Sequence, residues 1–162
     1  TGLRFFTVYG PWGRPDMALF KFTKSIISNK PMEIYNHGKH NRDFTYIDDI
    51  VDSIIKLLNR PPQNNNKNFN FKKPKASESF APYAVYNIGN NNPEPLMRFI
   101  ETLETAIGKK AEKKFLPMQA GDVQATFADI SPMQKNFGFK PTTPIDVGIP
   151  KFVNWYRQFH KV

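Results

Sequence analysis

The sequence predicts an α/β fold, and three observations carry that reading. A β-branched and aromatic run, Leu3–Tyr9, stops abruptly at Gly10-Pro11. Several stretches place apolar residues three and four apart, the spacing of an amphipathic helix. Short extended runs precede those stretches, so strands and helices alternate along the chain. At 162 residues, with 40% hydrophobic and 14% aromatic content, the chain is about one domain with enough apolar surface for a moderate core.

The elements follow in order. Leu3–Tyr9 reads as a buried-type strand, and such a strand needs neighbours on both edges. Since residue 1 falls directly before it, partner strands are expected upstream, outside this chain. Asp16 is placed to cap a helix over about 17–29, with Leu19, Phe22 and Ile26 on its apolar face. Pro31 allows a short strand over 32–35, ending in the turn Asn36-His37-Gly38. An extended piece over 43–46 leads into a helix over about 47–59, with Asp48 and Asp49 at its positive end and Pro61-Pro62 as its stop.

Residues 61–82 are rich in Pro, Asn and Lys with Phe69, Phe71 and Phe80 interleaved, and read as a surface loop. Val85–Ile88 reads as a strand. Asn92 is expected to cap the next helix, with Pro93 and Pro95 in its first turn; Leu96, Phe99, Ile100, Leu103 and Ile107 form its stripe, and Gly108 ends it. A short strand over 113–116 and a short helix from Ser131-Pro132 to Gly138 follow. The last helix opens at Thr143-Pro144-x-Asp146, a capping-box-like start, and Pro150 is expected to kink or delay it.

Bulk chemistry excludes some functions. There is no cysteine, so disulfide frameworks, cysteine metal sites and thiol nucleophiles are out, which fits a reducing, cytoplasmic setting. No apolar run approaches the roughly 18 residues of a membrane span, and no basic-then-apolar leader is visible. The net charge of +9 invites a nucleic-acid reading. The lysines are scattered, however, and solvated charge is the preferred explanation.

In open α/β sheets ligands sit at the carboxyl ends of strands, which puts Thr7, Tyr9 and Arg14 where a ligand is expected. Arg14 and Arg42 are both placed to pair bidentately with phosphate or carboxylate. Two readings of them stay open: an anion site, or internal salt bridges such as Arg42 with Asp43 or Asp48. Asp122, on a Gly-containing turn, has the chemistry to accept hydrogen bonds from vicinal sugar hydroxyls, or it is a turn aspartate. Tyr35 is suited to stack on a flat base or to pack.

Three patterns are set aside. Tyr35-x-x-x-Lys39 has the spacing of an acid–base pair that needs a helix, and Asn36-His37-Gly38 is a turn. Gly10-x-x-Gly13 lacks a third glycine. His37-x-x-His40 has no further ligand at suitable spacing, so two surface histidines are expected and no metal site. No dinucleotide fingerprint and no credible nucleophile–base pair is present, so no catalytic residue is assigned within the chain.

Four segments carry a family resemblance: LRFFTVYGPWGRPDMALF at 3–20, YNHGKHNRDFTYIDDIV at 35–51, APYAVYNIGNNNPEPLM at 81–97 and LPMQAGDVQATFADIS at 116–131. Together they resemble the carboxyl-terminal half of the UDP-glucuronate 4-epimerase family, which are extended short-chain dehydrogenases/reductases. The resemblance implies the substrate-binding part of an extended Rossmann-type fold over residues 1–162. Residues 1–9 would be a strand of a sheet whose remainder, with the amino-terminal NAD-binding half, is absent from this chain.

The implied activity is NAD-dependent interconversion of UDP-glucuronate and UDP-galacturonate through a 4-keto intermediate, with the chain alone inactive. By motif match, Thr7 and Arg14 would hold the sugar carboxylate, Tyr35 uracil, Arg42 the diphosphate and Asp122 the ribose. Tyr9, Gly10 and Pro11 would line the junction with the cofactor domain. Implied partners are the UDP-sugar, the missing half and a possible second copy in a homodimer. Ala120, where proline is usual, Asn41, where a basic residue is common, and Pro150 depart from the family pattern. The alternatives are another nucleotide-sugar epimerase, dehydratase or decarboxylase, and a basic nucleic-acid-binding module.

Overall fold

The structure, a computed structural model, describes residues 1–65, 67 and 69–162. The first strand is divided. β1 (Gly2–Phe5) runs parallel to β6 (Val85–Ile88), with Leu3 opposite Tyr86. The Phe6 amide still donates to the Ile88 carbonyl at 3.1 Å, after which the chain changes partner. β2 (Thr7–Tyr9) then runs parallel to β5 (Phe44–Tyr46), with Tyr9 opposite Tyr46. One extended run from Leu3 to Tyr9 was expected; the division at Phe6 marks the point where its hydrogen bonds pass from one neighbour to the other.

Two smaller pairs frame the cleft described below. β3 (Met32–Ile34) lies parallel to β8 (Lys113–Phe115), and β4 (Asn41–Arg42) lies antiparallel to β7 (Glu94–Pro95). Helix α1 (Ala18–Ile27) links β2 to β3, α2 (Ile47–Leu58) follows β5, and α3 (Leu96–Ile107) follows β7. The short α4 (Ser131–Phe137) and the long α5 (Ile145–His160) close the chain. Among the described residues no helix is long and apolar enough to cross a membrane.

The helical stripes build the main core. Leu19, Phe22 and Ile26 of α1 meet Phe99, Ile100 and Leu103 of α3 and Ile149, Phe152 and Val153 of α5. A second cluster joins Ile50 and Leu57 of α2 to Ile88, Ile130, Met133 and Phe139. Gly108 and Gly138 end α3 and α4 in the left-handed conformation that glycine adopts without strain.

Four expectations about element boundaries are corrected. Asp16 does not cap α1: the cap position is Met17, and the Asp16 carboxylate is taken by Arg14. The helix expected from Asn92 starts only at Leu96, because Glu94–Pro95 pairs as a strand with Asn41–Arg42. Pro150 neither kinks nor delays α5, which runs unbroken from Ile145. As the sixth helical residue, Pro150 forfeits a single bond, to the Asp146 carbonyl in the first turn. Nor does Thr143 form a capping box. Its amide, with the amide and hydroxyl of Thr142, donates to the buried Asp49 carboxylate at 3.1–3.2 Å, so α2 holds the entry of α5.

Within the 61–82 segment the aromatic rings pack on one another. Phe69 and Phe71 meet edge-on with centroids 4.9 Å apart, and Phe71 stacks on Phe80 at 6.0 Å.

Candidate functional site

A cleft of about 840 Å³ opens between α1, β3 and the β4–β5 segment. Thr7, Tyr35, Arg42 and Asp122, four residues that sequence reasoning singled out, all line it. They come from β2, from the turn after β3, from β4 and from the loop beyond β8, so the fold converges them from across 116 positions of chain.

Arg42 is the best-anchored cation in the cleft. Its side chain is 16% exposed, and Nη2 donates to Asp122 Oδ1 at 2.8 Å. Nη1 donates to the Gln124 and Asn41 carbonyls, each at 3.1 Å. The partner is therefore neither Asp43 nor Asp48. Asp43 turns away from the cleft, fully buried, and accepts amides of Asn90, Asn91 and Ala128 at 2.5, 3.0 and 2.9 Å. It thereby fixes the backbone behind β4. A Cβ at Gly89 would collide with Ala128 and crowd Asp43, which is why the residue directly after β6 has none.

Alternation explains this split. In extended backbone, successive side chains face opposite ways. His40, Arg42 and Phe44 line the cleft, whereas Asp43 faces inward. That period-2 pattern was the signal by which His40 could have been found. The expectation of two surface histidines holds for His37 only; His40 is 5% exposed, with Nε2 3.2 Å from Asp122 Oδ2. Burial and the nearby Arg42 charge hold the His40 pKa below its ordinary value, against an upward pull from Asp122. Among the described residues no cluster of three or more His, Cys, Asp or Glu could hold a metal ion.

Arg14 is differently placed. It is 75% exposed and pairs with Asp16, its Nη2 2.5 Å from Oδ2 and its Nε 3.1 Å from Oδ1. Asp16 lines the cleft; Arg14 stands one ion pair outside that lining. The Tyr35 hydroxyl donates to Glu33 Oε2 at 3.0 Å, and that bond holds its phenol pKa up. Asn36 and His37 adopt left-handed backbone after it, so Tyr35 and Lys39 share no helix face. Lys21, Lys24, Lys30 and Lys114 also line the cleft and give it a cationic wall. Sequence reading had treated such lysines as scattered solvated charge.

The residues matched to the cofactor junction behave as core. The Tyr9 ring is 4% exposed and packs edge-on against Phe44, Tyr46 and Phe99. Its hydroxyl is buried without a hydrogen-bond partner above Gly148, and burial drives its pKa far upward. Gly10, at φ +139°, has no room for a Cβ, which would lie 2.5 Å from Ile47 Cγ2. Pro11 follows it half-buried. Packing thus fixes Tyr9 and Gly10, with Pro11 directly after them.

Similarity to known proteins bears on the family and the fold. Residues 1–71 match the model of the NAD dependent epimerase/dehydratase family. The chain is 52% identical to the protein CapI of Staphylococcus aureus, over 99% of its own length and 48% of that protein's. It is 47% identical to a probable UDP-glucuronate 4-epimerase of Rhizobium meliloti, over 99% of its own length and 47% of the relative's. The crystal structure of UDP-glucuronic acid 4-epimerase from Bacillus cereus, in complex with UDP-glucuronic acid and NAD, superimposes with a TM-score of 0.78 at 32% identity. That match covers 97% of this chain and 45% of the other. The resemblance read from the four motifs is borne out, as is the α/β fold of Rossmann-type epimerases. The chain spans about half the length of the curated relatives it matches.

Proposed function

We propose that the chain forms the nucleotide-sugar-binding part of an epimerase that interconverts UDP-glucuronate and UDP-galacturonate by an NAD-dependent route through a 4-keto sugar. The observation that carries this reading is the cleft itself. Its polar floor combines a guanidinium locked to a carboxylate, a tyrosine at the rim and a lysine-lined wall, which suits a base, a ribose and two phosphates in succession. NAD would take up and return the hydride at C4. It would be held mainly by residues outside this chain, with Tyr9, Gly10 and Pro11 at the junction.

Each residue then has a task. Arg42, held in place by two carbonyls and Asp122, presents its guanidinium to the diphosphate with little ordering left to do. Asp122, on the adjoining turn, accepts from a ribose hydroxyl. Tyr35 lies against the uracil. Thr7, the first residue of β2, donates to the sugar acid. Arg14 exchanges Asp16 for the uronate carboxylate, a swap that costs little because the existing pair is exposed to water. Holding the carboxylate also restrains decarboxylation of the intermediate, which is a β-keto acid.

Replacing Arg14 by Ala tests the sugar assignment. Calorimetric titration should show UDP-glucuronate weakened about tenfold with UDP-glucose unchanged, the size of one lost charge-assisted contact. Equal weakening of both ligands would make Arg14 a phosphate or structural residue and remove the uronate from the proposal.

A further inference from the structure

Asp122 is held more firmly than a ligand-facing turn residue needs to be. Its Oδ1 accepts two hydrogen bonds at 2.8 Å, from Arg42 Nη2 and from its neighbour's amide, Val123 N. Both bonds fall on Oδ1 and leave Oδ2 to be oriented by its own neighbours. His40 Nε2 lies 3.2 Å from Oδ2 and is a buried ring nitrogen that has no hydrogen-bond partner. Leaving such an atom unpaired is costly, and a small rotation of the ring would align it with Oδ2.

We propose that His40 is a positioning residue for Asp122: its Nε2–H fixes Oδ2 and so aims one remaining lone pair of the carboxylate at a single ribose hydroxyl of the bound nucleotide. The inference rests on the proposed role of Asp122 and extends it.

The count of lone pairs supports the arrangement. A carboxylate offers about four acceptor sites. Arg42 and Val123 take two, His40 takes a third, and one is left. Asp122 is 32% exposed, so that site is within a ligand's reach. The loop holds it there: the Asn41 amide donates to the Gln124 carbonyl at 3.0 Å, and the Thr126 amide to the Asn41 carbonyl at 3.1 Å, which stitches 124–126 along β4. The Leu96 amide, donating to the His40 carbonyl at 2.8 Å, pins the histidine backbone to the start of α3. Burial and Arg42 keep the ring on the neutral side, where it has one N–H to give.

The test is calorimetric titration of the full natural chain with UDP and with 2′,3′-dideoxy-UDP, using wild type, Asp122→Ala, His40→Leu and His40→Gln. Asp122→Ala should weaken UDP about tenfold more than it weakens 2′,3′-dideoxy-UDP, whose smaller loss reports the released Arg42 alone. His40→Leu should show the same selective loss. His40→Gln, which keeps a donor, should restore UDP binding to within about threefold. If Asp122→Ala weakens both ligands equally, the ribose role of Asp122 falls and this inference with it. If Asp122→Ala is selective but His40→Leu is not, only the role of His40 is overturned. A measurement that needs no variant stands beside these: nitrogen-15 NMR of the wild-type ring should place the proton on Nε2, and a proton on Nδ1 alone overturns the proposal.

Discussion

Arg14 and Arg42 share a chemistry but not a setting. Arg14 pairs with a carboxylate two residues away, in water, on a loop that bends through left-handed backbone at Trp12. Arg42 pairs with a carboxylate 80 residues away, mostly buried, on a strand whose other face is anchored by Asp43. The local pair is a side chain waiting for something better, and it spends rotamer freedom only when a ligand arrives. The distant pair is part of the fold, and its ordering cost has already been met during folding. A binding site that must hold one constant part of its ligand and discriminate another has reason to use both kinds.

The comparison breaks most sharply at the two aspartates behind these arginines. Asp43→Ala should be the most damaging change, because a fully buried carboxylate and the three amides it accepts, one buried and two part-buried, lose each other at once; a loss of about 3 kcal/mol is expected from chemical denaturation. Asp16→Ala, on the exposed side, should leave the denaturation midpoint unchanged. Similar effects from the two would mean that burial does not separate the two arginine sites.

Tyr9 sharpens the contrast from the core side. Its hydroxyl has no partner, so Tyr9→Phe should leave stability unchanged or raise it by up to about 1 kcal/mol, and should not alter nucleotide binding. The pH dependence follows from the raised phenol pKa. Below the unfolded value near 10 the folded and unfolded states are equally protonated, and the phenol has no effect on the slope. As pH rises above that value the unfolded phenol ionises while the folded one stays neutral, so stability falls by about 1.4 kcal/mol per pH unit. Tyr9→Phe should remove that much of the alkaline slope, and an unchanged slope would show that Tyr9 is not the buried phenol described here.

How much of this was legible beforehand follows the same division. Interactions governed by local spacing could be read: the stripes of α1 and α3, the glycine stops at Gly108 and Gly138, the turn at Asn36-His37-Gly38 and the strand Val85–Ile88. The motif resemblance added Thr7, Tyr35, Arg42 and Asp122, which the fold brings to one cleft. Interactions made between distant segments were hidden. Nothing near Arg42 points to Asp122, nothing in Asp49 announces that it holds Thr142 and Thr143, and the pairing of Glu94–Pro95 with β4 overrode a plausible cap at Asn92. His40 was hidden for a different reason. A helical or metal-site spacing was sought, whereas the informative spacing was the alternation of His40, Arg42 and Phe44.

The most direct test of the cleft as a nucleotide diphosphate site is titration of Arg42→Ala with UDP and with uridine. UDP should bind about thirtyfold more weakly than to wild type, the effect of one desolvated charge-assisted pair, while uridine, whose ribose partner Asp122 loses only its Arg42 anchor, should weaken by no more than about threefold. Loss of both ligands in parallel, or of neither, would contradict the assignment of Arg42 to the phosphates and with it the reading of the cleft.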